Sequence, residues 1–424
     1  MNKTKETFMF GFALFAGFFG AGNLILPPFL GFNSGTDWWI VAIGFLISAT
    51  IIPLLSLFAH AKLQGTLYDF GKKVSPIFSI IFCLSLFIIT VTLPCPRTAA
   101  VTHEIAIAPF FGTSALLTSV IYFVLVFIFV INRNKVLNII GKYLTPIIVL
   151  ILLAIIVIGI FTPNLEMNPS NFEIPIISGL LEGYQTYDAM AGIIMGGMVI
   201  ISINKSKNIT SYQDKKAMIA KSGFIAMLGL FIIYAGLIAV GAFYSSQFEA
   251  DISRTNLLSG LATKTLGEFG AIFLSVLVGL ACFTTAVAIV VSIADFFKVY
   301  FKQFKNIYLI TAIICCLTGI LVGQMNVDYI IDIALPALMF IYPICIALIL
   351  LNIMPDKWAS KLVFKCVVLI TFIFSIPDFL GFILPAESLK GIKDLIPLSN
   401  QNLGWVLPAL LTFVVVNLFE KFKS

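Results

Sequence analysis

Charged residues are scarce in this sequence. Asp, Glu, Lys and Arg make up 11% of the 424 residues, whereas hydrophobic residues make up 60%. Soluble globular chains carry about 25% charged residues, so this composition excludes an ordinary water-soluble protein. The apolar residues also recur in runs of roughly 20, the length that an α-helix needs to cross the hydrocarbon of a bilayer. The chain is therefore predicted to be an all-α membrane protein.

Residues of catalytic and metal-binding motifs are also few. The two histidines, His60 and His103, are far apart, and there is no HExxH, Ser/His/Asp or phosphate-loop pattern. The seven cysteines lie in apolar runs without a CxxC pair, which predicts small buried side chains rather than disulfides or metal ligands. No loop is large enough for the output domain of a receptor, and no repeated ring of pore-lining residues suggests a channel. These absences argue against an enzyme, a receptor and a channel.

Twelve apolar stretches are long enough to cross a bilayer. The first follows Lys3 and Lys5, is too long for a signal-peptide core and lacks a small-residue cleavage pattern, so it is predicted to be a retained helix. The twelve predicted spans are 8–32, 39–61, 77–102, 113–131, 139–161, 176–203, 217–243, 268–297, 307–325, 329–353, 361–382 and 402–419.

Basic residues are distributed unevenly between the two sides that these spans define. Of the 26 Lys and Arg residues, only Arg254, Lys264, Lys390 and Lys393 belong to one side, and Arg97 lies within a span. All the others fall on the side of the N-terminus. The positive-inside rule therefore predicts a multi-pass protein of the bacterial inner membrane with both termini in the cytoplasm. Because the basic residues are dispersed over many loops, the net charge of +6 does not indicate a nucleic-acid partner.

Two spans are interrupted by glycine and polar residues. Residues 16–23 read AGFFGAGN in the first span, and residues 183–188 read GYQTYD in the sixth. A helix broken at membrane depth is tolerated only where the freed backbone groups are buried in protein or face a ligand. Free amides at a half-helix end suit a carboxylate, and unwound carbonyls suit an ammonium group or a sodium ion. A zwitterionic amino acid matches both demands.

The two interruptions occupy corresponding places, in the first span of the first five and the first span of the second five. This arrangement predicts an inverted-repeat transporter with its site at the bilayer midplane. The predicted units are a first five-helix repeat over 1–161, a second inverted repeat over 162–353, and two additional helices over 354–424. Close helix packing through small residues is the alternative explanation for either break taken alone.

Three segments carry a family resemblance: GFALFAGFFGAGNLILPPFLG in span one, PCPRTAAVTHE in span three and EGYQTYDAMAG in span six. Together they resemble the bacterial branched-chain amino acid:cation symporters, the BrnQ-type carriers, over essentially the whole chain. That family is similar to the LeuT-fold transporters of the amino acid-polyamine-organocation superfamily. The resemblance implies a LeuT-like five-plus-five inverted repeat with helices 1 and 6 broken at mid-membrane. It also implies sodium-coupled symport of leucine, isoleucine and valine by alternating access.

The resemblance also implies where the substrate binds. The first break would bind the substrate carboxylate through backbone amides, and the second would supply carbonyls for the ammonium group, side-chain contacts and part of an apolar wall. The residues concerned are Gly20, Ala21, Gly22 and Asn23 in the first break and Tyr184, Gln185, Thr186 and Tyr187 in the second.

A co-transported sodium ion is implied by the same family resemblance. In LeuT-fold sodium carriers a small residue in span eight is followed three and four positions later by two hydroxyl residues, and Ala281, Thr284 and Thr285 have that spacing. Carbonyls of Ala16 and Phe19 in span one would complete an all-oxygen shell, which a hard cation prefers. Hydrogen bonding of the threonines to their own helix is the alternative. One sodium site is predicted and a second is left open.

Five charged residues lie within or at the edges of spans: Arg97, Glu104, Glu182, Asp188 and Asp332. Each uncompensated charge there costs about 2.5–3.5 kcal/mol or more, so each needs a partner. Arg97 is expected to meet Glu182 or Asp188, either as a gate or only to fix helix packing. The acidic residues also leave open a proton-coupled carrier on the same fold.

Overall fold

The computed structural model describes residues 3–132, 135–161, 166–204, 211–301 and 303–423. All regular secondary structure in these ranges is helical. The α-helices are α1 (Lys3–Phe18), α2 (Ala21–Ser34), α3 (Trp38–Leu46), α4 (Ile52–Leu63), α5 (Leu67–Gly71), α6 (Pro76–Thr92), α7 (Pro94–Thr102), α8 (Ala115–Asn132), α9 (Lys135–Phe161), α10 (Pro175–Glu182), α11 (Asp188–Asn204), α12 (Tyr212–Phe243), α13 (Arg254–Tyr300), α14 (Ile307–Gly323), α15 (Val327–Ile353), α16 (Lys361–Leu380), α17 (Ala386–Lys393) and α18 (Val406–Lys423).

These helices fit the predicted all-α membrane protein. Seven helical segments of the described ranges are both long and apolar enough to cross a bilayer, and shorter apolar helices accompany them. Each predicted span overlaps at least one of the α-helices, although the count of twelve crossings and the division into repeats stay predictions. Large apolar side chains such as Ile77 and Phe269 are exposed, by 72% and 91%. Such exposed apolar surface suits contact with lipid rather than water.

Both predicted interruptions are present. Helix α1 ends at Phe18 and α2 begins at Ala21, which leaves Phe19 and Gly20 between them. Helix α10 ends at Glu182, a 3₁₀ turn follows, and α11 begins at Asp188. Tyr187 joins the turn to α11 in the left-handed region, with φ 62°. Few residues other than glycine adopt this backbone conformation, so the surrounding structure must hold it in place.

The sequence did not predict four further irregularities. Helix α6 ends at Thr92, and after Leu93 a new helix, α7, begins at Pro94. Single π-turns occur at 47–51 and 103–107, within the second and third predicted spans or at their edges. Gly267 kinks α13 with φ 73°, so that residues 254–266 form a separate helix before predicted span eight. π-turns of this kind are frequent at functional sites.

Two half-helices are positioned by close glycine contacts. A Cβ on Gly31 of α2 would collide with the backbone carbonyl of Ile238 in α12. Likewise, a Cβ on Gly179 of α10 would collide with the carbonyl of Val41 in α3. Small residues that let backbones approach in this way are the usual means of packing helices in a membrane. The second half of span one and the first half of span six are thereby fixed against α12 and α3.

Candidate functional site

A cavity of about 980 Å³ lies where the two breaks meet. Gly20 and Asn23 of the first break, Tyr187 of the second, and Thr285 of α13 all line it. From the breaks the cavity runs along α1 as far as Lys5, so it opens towards the end of the bundle that holds the N-terminus. This volume is at the upper end of the usual range for small-molecule sites.

A buried polar network joins the two breaks. Both carboxylate oxygens of Asp188, at the start of α11, accept hydrogen bonds from the Asn23 side-chain amide at 3.0 Å. The Tyr234 hydroxyl of α12 donates to the same carboxylate at 2.9 Å and also contacts the Asn23 amide. Asp188 is only 1% exposed and lines the cavity. The two half-helix starts are thus tied together through a carboxylate that is hydrogen-bonded to neutral donors.

Arg97 of α7 also lines the cavity. Its Nη1 donates to the carbonyl of Gln185 at 3.0 Å, and its guanidinium lies 5.0 Å from the ring centre of Tyr187. A Cβ on Gly22 would collide with this guanidinium and would lie 2.8 Å from its Cζ. Arg97 is 3% exposed, so it contacts both breaks as a buried cation.

The expected ion pair of Arg97 with Glu182 or Asp188 is absent from the described residues. Arg97 instead uses the carbonyl that the 3₁₀ turn leaves free and the face of Tyr187. The Glu182 carboxylate lies 3.7 Å from Arg254, at the start of α13, and so pairs with that arginine instead of with Arg97. An arginine donates to carbonyls and stacks on aromatic rings readily, so it does not require a carboxylate at contact distance.

Arg254 is the centre of a second group of charges, away from the cavity. It forms ion pairs with Glu182 of α10 and Asp328 of α15, and it lies 4.4 Å from the ring centre of Phe29 in α2. Beside this group, Glu104 accepts hydrogen bonds from the Thr255 hydroxyl at 2.6 Å and the Val327 amide at 2.8 Å. From the sequence, Arg254 is predicted only to lie in a loop. Its partners Glu182 and Asp328 are 72 and 74 residues away, and nothing in the sequence indicates them.

The predicted substrate residues divide into two sets. Five of the eight line the cavity, namely Gly20, Gly22, Asn23, Thr186 and Tyr187, whereas Tyr184 and Gln185 do not. Tyr184 stacks on Tyr342 with 4.3 Å between ring centres, and the Gln185 side chain points to the Ile331 carbonyl at 3.5 Å. The Ala21 side chain lies outside the described structure, whereas its backbone begins α2. Only the backbone carbonyl of Gln185 contributes here, through Arg97.

The predicted sodium ligands lie around the first break. Ala16, Thr284 and Thr285 line the cavity, and a Cβ on Gly20 would lie 3.6 Å from the Thr285 methyl carbon. The Thr284 hydroxyl donates to the Ala281 carbonyl at 2.9 Å, which is the helix-bonded arrangement raised as the alternative. Phe19 is buried and stacks on Phe15. Within the described ranges no group of His, Cys, Asp and Glu side chains suits another metal.

Comparison with known proteins agrees with this architecture. A structure described as the inward facing conformation of Mhp1 aligns with 98% of this chain and over 91% of its own chain. The TM-score is 0.63 and the sequence identity is 15%. A manganese transporter from Eremococcus coleocola aligns with a TM-score of 0.58 and 14% identity, covering 98% of this chain and 94% of that one. These neighbours confirm the predicted LeuT-like fold.

The sequence comparisons identify the family. The branched-chain amino acid transport system 2 carrier protein of Pseudomonas aeruginosa is 32% identical, covering 97% of this chain and 95% of its own length. The branched-chain amino acid permease BraB of Bacillus subtilis is also 32% identical, with 97% and 94% covered. These relatives are carriers and permeases, which confirms that the chain is not an enzyme. Residues 3–423 match the family described as branched-chain amino acid transport protein, and the chain belongs to that family of multi-pass membrane proteins.

Proposed function

We propose that this protein is a secondary active transporter that takes up leucine, isoleucine and valine together with sodium. The observation that carries the proposal is the meeting of both helix breaks at one cavity, with Arg97 and Asp188 buried in its wall. Irregular backbone that lines a cavity between two halves is the binding arrangement of secondary transporters. The names of the relatives supply the class of amino acid.

The proposed sodium ion binds between the first break and α13. Its ligands are the carbonyls of Ala16, Phe19 and Ala281 and the hydroxyls of Thr284 and Thr285. Three of these residues line the cavity beside Gly20, which supports the assignment. The Ala281 carbonyl already accepts a hydrogen bond from the Thr284 hydroxyl. Sodium binding would replace this hydrogen bond with one contact from each of the two oxygens to the ion.

In the proposed orientation both termini lie in the cytoplasm of a bacterial inner membrane. The cavity then faces inward, and alternating access closes it on the cytoplasmic side while opening a path from outside. One sodium ion crossing 100 mV releases about 2.3 kcal/mol. Because each 1.4 kcal/mol corresponds to a factor of ten, the electrical gradient alone sustains roughly 50-fold accumulation of a neutral zwitterion.

The Arg254 group would close the outer side in this state. It links the second half of span one, the first half of span six and the start of α15 through one half-buried cation. Removing one partner of such a group leaves the remaining charges uncompensated and weakens the contact. Opening outward must separate these helices, so the group is expected to stabilise the inward-open state.

Arg254→Ala should therefore shift the protein towards the outward-open state. We expect a cysteine introduced at Ala288, an exposed residue of the cavity wall, to react roughly ten-fold more slowly with a membrane-impermeant maleimide added from the cytoplasmic side. Six of the seven native cysteines are buried, which keeps the background low. Lys390→Ala, at an exposed position of α17, is the control. An unchanged labelling rate in the Arg254 variant would rule out the closing role.

Substrate competition tests the proposed amino acid class. Unlabelled leucine, isoleucine and valine should each inhibit uptake of labelled leucine into proteoliposomes, with affinities within about 10–200-fold of one another, because one methylene changes binding by about 1–3 kcal/mol. Lysine, glutamate and serine should not compete, since an unpaired polar group is costly to bury. Equal inhibition by serine would refute an aliphatic pocket.

A proton-coupled carrier is the second candidate. Asp188 favours it, because this buried carboxylate faces the cavity and its hydrogen-bond partners are neutral donors. Such a group is suited to take up and release a proton as the cavity alternates. The two candidates differ in the ion gradient that drives uptake.

A further inference from the structure

Arg97 and Asp188 face the same cavity as a buried cation and a buried anion that do not pair with each other. Neither forms an ion pair within 4 Å in the described parts of the chain. Arg97 has one hydrogen bond, to a neutral carbonyl, and its Nε atom has no partner. Asp188 accepts three hydrogen bonds from neutral groups, and an ionised carboxylate has room for about four.

Both charged groups sit against consecutive residues of the first break. The Arg97 guanidinium fills the space beside Gly22, and the Asp188 carboxylate is hydrogen-bonded to Asn23. These residues form the first turn of α2, where backbone amides have no helical acceptor. Gly22, Asn23, Arg97 and Asp188 also all line the cavity. The positive and negative groups are therefore presented side by side at the same point of the fold.

We infer that Arg97 binds the substrate carboxylate and Asp188 binds the substrate ammonium group. An α-amino acid carries opposite charges on neighbouring atoms, and this pair of side chains presents the complementary charges around a single helical turn. The Arg97 guanidinium, with one hydrogen bond, and the Asp188 carboxylate, with three, each retain capacity for a further hydrogen bond to the ligand. The helix amides of α2 add to the carboxylate site, while Arg97 supplies the formal charge that amides lack.

This inference rests on the proposed function but goes further, because it makes selection for a zwitterion a property of two side chains. A structural role for the same residues would give a different result. If Arg97 and Asp188 only held the breaks together, replacing either would weaken every ligand alike. If each binds one charge of the ligand, each replacement removes discrimination against the ligand that lacks that charge.

The test uses leucine and two analogues in sodium-containing buffer with purified protein. The analogues are 3-methylbutylamine, which is leucine without its carboxylate, and 4-methylpentanoate, which is leucine without its amino group. In the unaltered protein leucine should bind about 10- to 100-fold more tightly than either analogue, the effect expected for losing one charged hydrogen-bonding group. Arg97→Gln should abolish the preference over 3-methylbutylamine and keep the preference over 4-methylpentanoate. Asp188→Asn should do the reverse.

Arg254→Gln is the matched control, since it removes a half-buried arginine outside the cavity. Any shift between inward-open and outward-open states should change the affinity for all three ligands alike and so preserve both preferences. Size-exclusion chromatography establishes that each variant is folded. If Arg97→Gln does not purify, Arg97→Lys keeps the charge without the planar fork and should lower the preference over 3-methylbutylamine alone. Equal losses for all three ligands would overturn the inference. Failure of the unaltered protein to bind leucine at all would instead overturn the proposed function.

Discussion

Gly22→Ala should lower leucine binding by about a hundred-fold or more while the protein still folds. The added Cβ has no room beside the Arg97 guanidinium, which lies between this glycine and the second break. Overpacking costs about 1–3 kcal/mol, and displacing a charged donor from its acceptor costs about 1.5–3 kcal/mol. Together these costs reach about two to four factors of ten in affinity. Gly22→Leu should abolish binding altogether.

Gly20→Ala is the informative comparison for this variant. Gly20 lies in the same break, but its Cβ would meet only ordinary contacts at 3.6 Å, and its φ of −109° suits alanine. We expect no more than a several-fold loss of leucine affinity there. Equilibrium binding of labelled leucine to purified protein measures both variants. Normal binding by Gly22→Ala would show that the first break is not the substrate site.

Replacing Thr284 and Thr285 together by alanine should raise the sodium concentration for half-maximal leucine uptake by about ten-fold or more. Two of the five proposed ligands are lost, and a single interaction with a charged group is worth about 1.5–3 kcal/mol. Thr285→Ala alone should account for most of the change, because Thr284 already has a hydrogen-bond partner in its own helix. Leucine uptake into proteoliposomes at graded sodium concentrations gives the measurement.

Thr265→Ala provides the control for the sodium experiment. Thr265 lies in the 254–266 part of α13, before the Gly267 kink, and donates to the Leu261 carbonyl at 2.7 Å, but it does not line the cavity. Its replacement should leave the sodium dependence unchanged. The proposed site would be rejected if the double variant showed the same sodium dependence as Thr265→Ala.

The positions of the helix breaks could be predicted from the sequence because they depend on local composition. Three glycines and an asparagine within 16–23, and the polar stretch at 183–188, interrupt otherwise apolar spans. Such interruptions leave backbone groups without hydrogen-bond partners, which is costly in a membrane unless those groups are buried in protein or face a ligand. The family resemblance then supplied the fold and the amino acid class, which composition alone did not contain.

The partners of the buried charges could not be predicted in the same way. Tyr234 is one tyrosine within an apolar helix, and Arg254 lies at the start of a helix. Nothing in the neighbouring sequence indicates which distant residues either side chain contacts. The side-chain directions of Tyr184 and Gln185 follow from a 3₁₀ turn and the left-handed Tyr187, which the sequence pattern does not specify. These details depend on tertiary packing between helices far apart in the chain.

The most direct measurement is uptake of labelled leucine into proteoliposomes under three conditions: an inward sodium gradient, an inward proton gradient without sodium, and no gradient. We expect accumulation above the external concentration only with the sodium gradient, increased further by a membrane potential that is negative inside. Accumulation driven by the proton gradient in the absence of sodium would contradict sodium coupling and favour the proton carrier.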